Sequence, residues 1–218
     1  MLSARFVTWG YPAYMAAGDL NGDGKPEIVT THLFEAAIAV LRNTSIPPVH
    51  LINVVSRKIH GAAGTFDVDL AVADECRSGG ATSDYTLVFN FESPLASVGG
   101  ASVTGGTGNV TSSAIGSDPH QYIVNLTGVT NAQTLTISLS NVADSAGSVS
   151  GAVSTSMGVL IGDTNGNRAV NSSDIAQTQS QSGQSVNSTN FREDVTVSGS
   201  INSSDIALVQ SKSGTGLP

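Results

Sequence analysis

Apolar and polar residues alternate in four stretches of the chain, 65–70, 85–91, 122–126 and 135–139. A period of two puts every second side chain on one face of a strand. Turn residues punctuate these stretches, at Ser78-Gly79-Gly80, Gly99-Gly100, Gly105-Gly106, Gly116-Ser117 and Ala146-Gly147. The spacing predicts about seven to nine short strands, each with one apolar face, closing on one another as a two-sheet β-sandwich. Nearer the N-terminus, Ile28-Val29 and the run 36–41 also read as strands. Ile46-Pro47-Pro48 interrupts the pattern, because two prolines cannot continue a hydrogen-bonded ladder. Near the C-terminus the pattern changes. Asp-Ile-Ala occurs twice, from Asp174 and from Asp205, and each copy opens a helix of about ten residues that a glycine stops, Gly183 or Gly214. The expected fold class is mainly β with a small α C-terminal domain, divided at 1–47, 48–162 and 163–218.

Composition narrows the functional classes. The 218 residues are 39% hydrophobic and 12% charged, with 24 glycines. Disordered chains carry fewer apolar and more charged residues, and helical bundles are rich in Ala, Glu, Lys and Leu. No apolar run approaches the roughly 20 residues of a membrane helix, so membrane insertion is not expected. Seventeen acids against nine Lys and Arg give a net charge of −8. With no basic stripe, neither nucleic acid nor an anionic membrane surface is an expected partner. Many of the acids gather in three short loops: Asp19, Asp23 and Glu27; Asp163 and Asp174; Asp194 and Asp205. Cation binding is the chemistry that such loops suggest. The single cysteine, Cys76, excludes an intrachain disulfide and reads as a buried free thiol. Residues 1–10 lack the charged and apolar pattern of a signal peptide, so an exported protein would carry its signal outside this sequence.

The first loop reads Asp19-Leu20-Asn21-Gly22-Asp23-Gly24-Lys25-Pro26-Glu27. Oxygen side chains alternate at 19, 21 and 23, and the glycines permit a tight turn. A short loop of this kind can wrap a hard cation such as Ca²⁺, which takes six to eight oxygen ligands. An Asn-Gly-Asp-Gly hairpin turn without metal is the alternative reading. The segment resembles one repeat of the FG-GAP/VCBS class, the calcium-loop blades of integrin-like propellers. That resemblance implies side-chain ligands Asp19, Asn21, Asp23 and Glu27, with Lys25 giving its carbonyl. It also implies an orphan propeller-type hairpin, since propellers have four or more blades.

The middle segment shows little chemistry. His50, His60 and His120 have no metal spacing and read as partly exposed strand residues. Asp67 and Asp69 share a strand face and read as solvated. Glu75-Cys76-Arg77 has no neighbouring base, and neither a Gly-x-Ser-x-Gly elbow nor a phosphate loop occurs. The chain is therefore not expected to be an enzyme. In architecture the segment resembles the immunoglobulin-like and cohesin-like sandwiches of surface proteins.

The C-terminal segment is an internal repeat. Residues 163–183 and 194–214 align without gaps, identical at 11 of 21 positions. Counting each loop from its first Asp, copy one offers oxygens at positions 1, 3, 5, 9 and 12: Asp163, Asn165, Asn167, Asn171 and Asp174. Copy two offers Asp194, Thr196, Ser198, Asn202 and Asp205. That spacing is the EF-hand ligand pattern. Asn-Ser-Ser-Asp is also a helix N-cap signature, which needs no metal. The sharp bend at position 6 calls for glycine; copy two has Gly199, whereas copy one has Arg168, with Gly166 two places earlier. The hydroxyls of copy two are the weaker ligands, so its site is expected to bind less tightly. Val170 and Ile201, at position 8, are expected to pair the two loops by a short β-bridge, and Phe191 to pack between the copies.

This duplicated unit resembles a dockerin type I domain. The resemblance implies Ca²⁺ as the bound ion and a cohesin-like domain as the protein partner, with partner contacts at Ser172 and Ser173 in one copy and Ser203 and Ser204 in the other. The leading expectation is an extracellular or bacterial cell-surface, non-catalytic attachment module. A self-assembling subunit of a surface layer or filament, gripping copies of itself, is the second reading. The C-terminal tail of a secreted polysaccharide-degrading enzyme is the third.

Overall fold

The computed structural model describes residues 12–22, 24–32 and 37–218. Two compact units form, 1–46 and 47–218. In the first, β1 (Pro12–Gly18), β2 (Glu27–His32) and β3 (Ala37–Leu41) make an antiparallel sheet in that order. The expected hairpin thus has a third strand. Ala16, Val29 and Val40 lie side by side across the sheet.

The second unit begins with the sandwich. One sheet has the order β5 (Gly64–Asp69), β4 (Leu51–His60), β6 (Tyr85–Phe91), β10 (Gln121–Thr127), β9 (Asn109–Ile115). The other joins β12 (Val149–Val159), β11 (Gln133–Asp144) and β7 (Leu95–Ser97), and β8 (Gly100–Gly105) also pairs with β11. Alternation builds the core between them. Leu87, Phe89, Phe91, Val124 and Leu126 from one sheet join Leu135, Ile137, Leu139, Met157 and Val159 from the other, all essentially inaccessible. Each such side chain contributes roughly 1.5–3 kcal/mol by leaving water.

Strand β4 departs from this pattern halfway along. Val54 stands opposite Phe89 and is part of the apolar core. Ser56, Lys58 and His60 continue the same face, and Ser56 and His60 are fully buried although polar. Ser56 and His60 face residues 75–77 and part of the C-terminal repeat, whereas Lys58 reaches Asp84 O at 2.9 Å. The 75–78 segment is stitched to both. Glu75 bridges Val159 in parallel, and the Leu160 amide donates to Glu75 O at 2.9 Å. The Gly162 amide donates to Cys76 O at 2.9 Å, and the Ser78 amide to Val195 O at 2.7 Å. Cys76 is a buried free thiol, which burial pushes up to about 12. Among the described residues, no helix is long and apolar enough to cross a membrane.

Helices α1 (Ser172–Gln181) and α2 (Ser203–Lys212) complete the unit. Each is ten residues long and followed by a left-handed glycine, Gly183 (φ 84°) or Gly214 (φ 87°). Leu160, Val170, Val195 and Val209 form their small shared core.

Candidate calcium loops and their joint with the sandwich

The two loops, 163–174 and 194–205, follow one backbone path. Positions 4 and 6 are left-handed in both: Gly166 (φ 75°) and Arg168 (φ 67°) in the first, Val197 (φ 54°) and Gly199 (φ 87°) in the second. The path needs two left-handed residues, and each copy supplies one glycine and one residue with a Cβ. Arg168 therefore occupies the bend that glycine was expected to fill, and Gly166 serves the other left-handed position.

In loop 1 the Asp163 carboxylate accepts from the amides of Gly166 and Asn167, each at 3.0 Å, and of Arg168 at 2.9 Å. Asp174 Oδ1 accepts from the Asn165 amide at 3.2 Å. The oxygens of Asn165 and Asn167 accept from the amides of Asn167 and Ala169, each at 3.0 Å, so the four residues wrap one small volume. Asp163 and Asp174 are both fully buried. Burial raises the Asp163 pKa, the Arg168 and Asn167 amides oppose the rise, and the charge of Asp174 adds to it. Two buried acids facing each other, together with amide and carbonyl oxygens, form a donor set suited to a hard divalent cation.

Loop 2 has the same plan. Asp194 Oδ1 accepts from the Ser198 amide at 3.0 Å, and Oδ2 from the Gly199 amide at 2.8 Å. Asp205 Oδ1 accepts from the amide and the hydroxyl of Thr196, at 2.9 and 2.8 Å. Among the described residues, no group of three or more His, Cys, Asp or Glu side chains gathers as a metal site. A cation in either loop would draw on two carboxylates and complete its shell with neutral oxygens.

Asn171 and Asn202 are placed differently from the other predicted ligands. Each caps a helix: its side-chain oxygen accepts from the amide two residues on at 2.8 Å, and its own amide donates to Asp174 or Asp205 at 2.9 Å. The capping boxes are complete in both copies. In each closing acid, one oxygen serves the cap and the other faces the loop.

The two copies clasp crosswise. The Gly183 amide donates to Ile201 O at 2.9 Å, and the Gly214 amide to Val170 O at 2.8 Å. Val170 and Ile201 thus pair with the segment after the opposite helix, not with each other as expected. Ser172, Ser173, Ser203 and Ser204 are exposed on the first turns of the helices.

The joint with the sandwich was not visible in the sequence. His60 Nδ1 lies 2.8 Å from Asp194 Oδ2, both residues fully buried. Arg77 Nη1 lies 3.2 Å from His60 Nε2. A guanidinium only donates, so Nε2 accepts, and Nδ1 carries the proton that is donated to Asp194. Arg77 makes a buried two-pronged pair with Glu75, at 2.9 and 2.7 Å, and donates to the carbonyls of Phe66 and Ser56. The Ser56 hydroxyl closes the network on Glu75. Burial pushes Glu75 up, but Arg77 outweighs it and lowers the carboxyl to about 2. Phe191 stacks on Phe66 of the sandwich, with ring centroids 5.2 Å apart, rather than lying between the copies. Arg192 reaches from the repeat to Asp74 O at 3.1 Å and also holds Asp163 O at 2.9 Å. His60 is therefore a buried joint residue, whereas His50 and His120 are exposed and pair with Glu92 and Asp118.

In the N-terminal loop, Asp19 accepts from the Gly22 and Gly24 amides, each at 2.8 Å. Glu27 is 2% exposed; Oε2 accepts from the Leu20 amide at 2.9 Å, and Oε1 is buried with no hydrogen-bond partner among the described residues. An orphaned buried carboxylate oxygen fits a loop that holds a cation. Asn21 and Lys25 lie in the same loop, and Lys25 Nζ donates to Ser45 O at 2.6 Å. Asp23 lies outside the described residues.

Taken together, residues 163–214 define a class: a duplicated EF-hand-like loop–helix module. Residues 161–212 match the family model of the dockerin type I domain. Dockerin domains bind calcium and attach proteins by docking onto cohesin domains, and they occur in extracellular or cell-surface proteins. No curated protein and no solved structure matches the chain.

Proposed function

We propose that this chain is a non-catalytic, extracellular, calcium-dependent attachment module, in which the sandwich and the dockerin-like repeat pack as one compact unit. The observation that carries this reading is the pair of loops, each closing two fully buried acids around a small set of neutral oxygens. Asp163, Asn165, Asn167 and Asp174 would hold calcium in loop 1, and Asp194, Thr196, Ser198 and Asp205 in loop 2. Asn171 and Asn202, engaged in capping, would act at position 9 through water, a common arrangement there. Asp19, Asn21, Asp23, Glu27 and the Lys25 carbonyl form a third candidate site. The exposed serine pairs are equivalent in the two copies, so a cohesin-like partner can engage in two orientations. Light scattering behind size exclusion, with millimolar calcium and then with chelator, tests this. A monomer that is compact in calcium and expands on chelation is expected. A monomer indifferent to chelator would mean that the helix caps alone explain the loops.

Self-assembly into a layer or filament is a second reading, favoured by one observation. Tyr14, Met15, Ile38 and Val40 of the N-terminal sheet are 80%, 73%, 70% and 53% exposed. Large calcium-dependent assemblies in the same measurement would select it. Carriage on a polysaccharide-degrading enzyme would appear as polysaccharide cleavage by the protein that bears this chain.

A further inference from the structure

The sandwich supplies a hydrogen bond to the first carboxylate of the second loop and, among the described residues, none to that of the first. Within loop 1, the Asp163 carboxylate receives its hydrogen bonds from its own loop alone, among the described residues. In loop 2, Asp194 Oδ2 takes one donor from the loop and a second from His60, which is 134 positions away in sequence. The His60 ring is itself fixed. Arg77 holds its far nitrogen, and Phe66 and Phe191 meet it edge-on at centroid distances of 5.2 and 6.0 Å. The backbones are equally close. A Cβ on Gly61 would stand 2.3 Å from Ser198 O, and one on Gly199 would stand 2.7 Å from His60 O. Loop positions 5 and 6 therefore rest directly on the turn after β4.

We propose that His60 is a positioning residue for cation binding in loop 2, so that calcium in that loop and the packing of loop 2 on the sandwich stabilise each other, while loop 1 binds independently of His60. The inference rests on the calcium reading above. Loop 2 has hydroxyls where loop 1 has amides, and an external donor that pre-orients its first carboxylate offsets those weaker ligands. Partners of this outer kind typically change metal affinity by about 10–100-fold. Reciprocity follows from linkage: whatever the joint does for calcium, calcium does for the joint.

The test is calcium titration calorimetry on the full chain, with D174N and D205N assigning the heats to loops 2 and 1. The N-terminal loop is common to every variant and cancels. In H60L, loop 2 is expected to weaken about 10–100-fold, with loop 1 unchanged. H60N keeps a donor near the Nδ1 position while filling less space, and is expected to recover much of the loss; a purely packing role would not be rescued. In the wild-type chain, calcium is expected to slow amide exchange in β4 and β5, an effect kept in D174N and lost in D205N. Unchanged loop 2 affinity in H60L, or equal weakening of both loops, would overturn the proposal. Should H60L not fold, the exchange comparison decides alone, and calcium-independent exchange in β4 and β5 would overturn it. A wild-type chain that binds no calcium in either loop would instead sink the calcium reading, and this inference with it.

Discussion

Loop 1 and loop 2 have the same backbone path, the same capping box and the same crosswise clasp, yet their first carboxylates sit in different electrostatic surroundings. Burial leaves Asp163 with a raised pKa. At Asp194 burial also pushes upward, but the hydrogen bond from His60 and those from the Gly199 and Ser198 amides outweigh it, and the pKa falls. A duplicated sequence thus reproduces local geometry faithfully, whereas the charge state of a buried acid is set by whatever the rest of the chain brings to it. Family resemblance carries the ligand pattern but not the neighbour from another domain.

The comparison can be broken most strongly at Arg77. Removing one partner of a fully buried ion pair costs about 3–5 kcal/mol, so R77A is expected to lower stability by that order in urea titration. It should loosen loop 2 through His60 and leave the isolated contacts of loop 1 intact, which amide exchange would resolve. Glu75 gives the pH counterpart. Its folded pKa is depressed, so its stabilisation is present above about 4.5 and is lost as pH falls toward about 2. Urea midpoints measured from pH 6 down to pH 3 should fall more steeply for the wild type than for E75Q, and equal slopes would count against the pair.

A smaller effect sharpens the comparison. Left-handed conformation costs a residue with a Cβ about 1–2 kcal/mol. V197G should raise stability by about 1 kcal/mol, since a β-branched residue there is strained. R168G should gain less, because it also gives up the 3.6 Å contact of Arg168 with Asp74. The thermal midpoints of the two variants rank these expectations. The caps offer an effect of similar size and opposite sign: N171A and N202A should each cost about 1 kcal/mol. Equal losses would show that capping is a property of the repeat alone, and a larger loss at Asn202 would implicate the joint.

Much of the sandwich was legible because strands such as β6 and β10 alternate cleanly. Strand β4 was not, because positions 56, 58 and 60 are polar, so the run shows no apolar alternation, and His60 reads as partly exposed. Ser56 and His60 are inward because Glu75, Arg77 and Asp194 meet them there. Strand β12, rich in Ser and Gly, has little apolar rhythm and lies at the edge of its sheet. Loop ligands and helix caps are both local patterns and were read directly from spacing. The crosswise clasp and the seat of Phe191 depend on contacts between distant segments, and spacing carries no information about them. A glycine two places from its expected position, Gly166, was the one local sign that the bend has two left-handed sites.

A tether must bear tension. If a partner pulls on the serines of α1 and α2, the force does not pass only through the peptide that leaves the sandwich at residues 160–162. It is shared with the Ser78–Val195 and Gly162–Cys76 hydrogen bonds, the Arg192 anchor on Asp74 and the Phe66–Phe191 stack. Leu217 is held beside loop 1, its amide bonded to Arg168 O at 3.1 Å. Several connections yielding together resist more than the same connections yielding one after another, and that makes this joint a mechanical coupling.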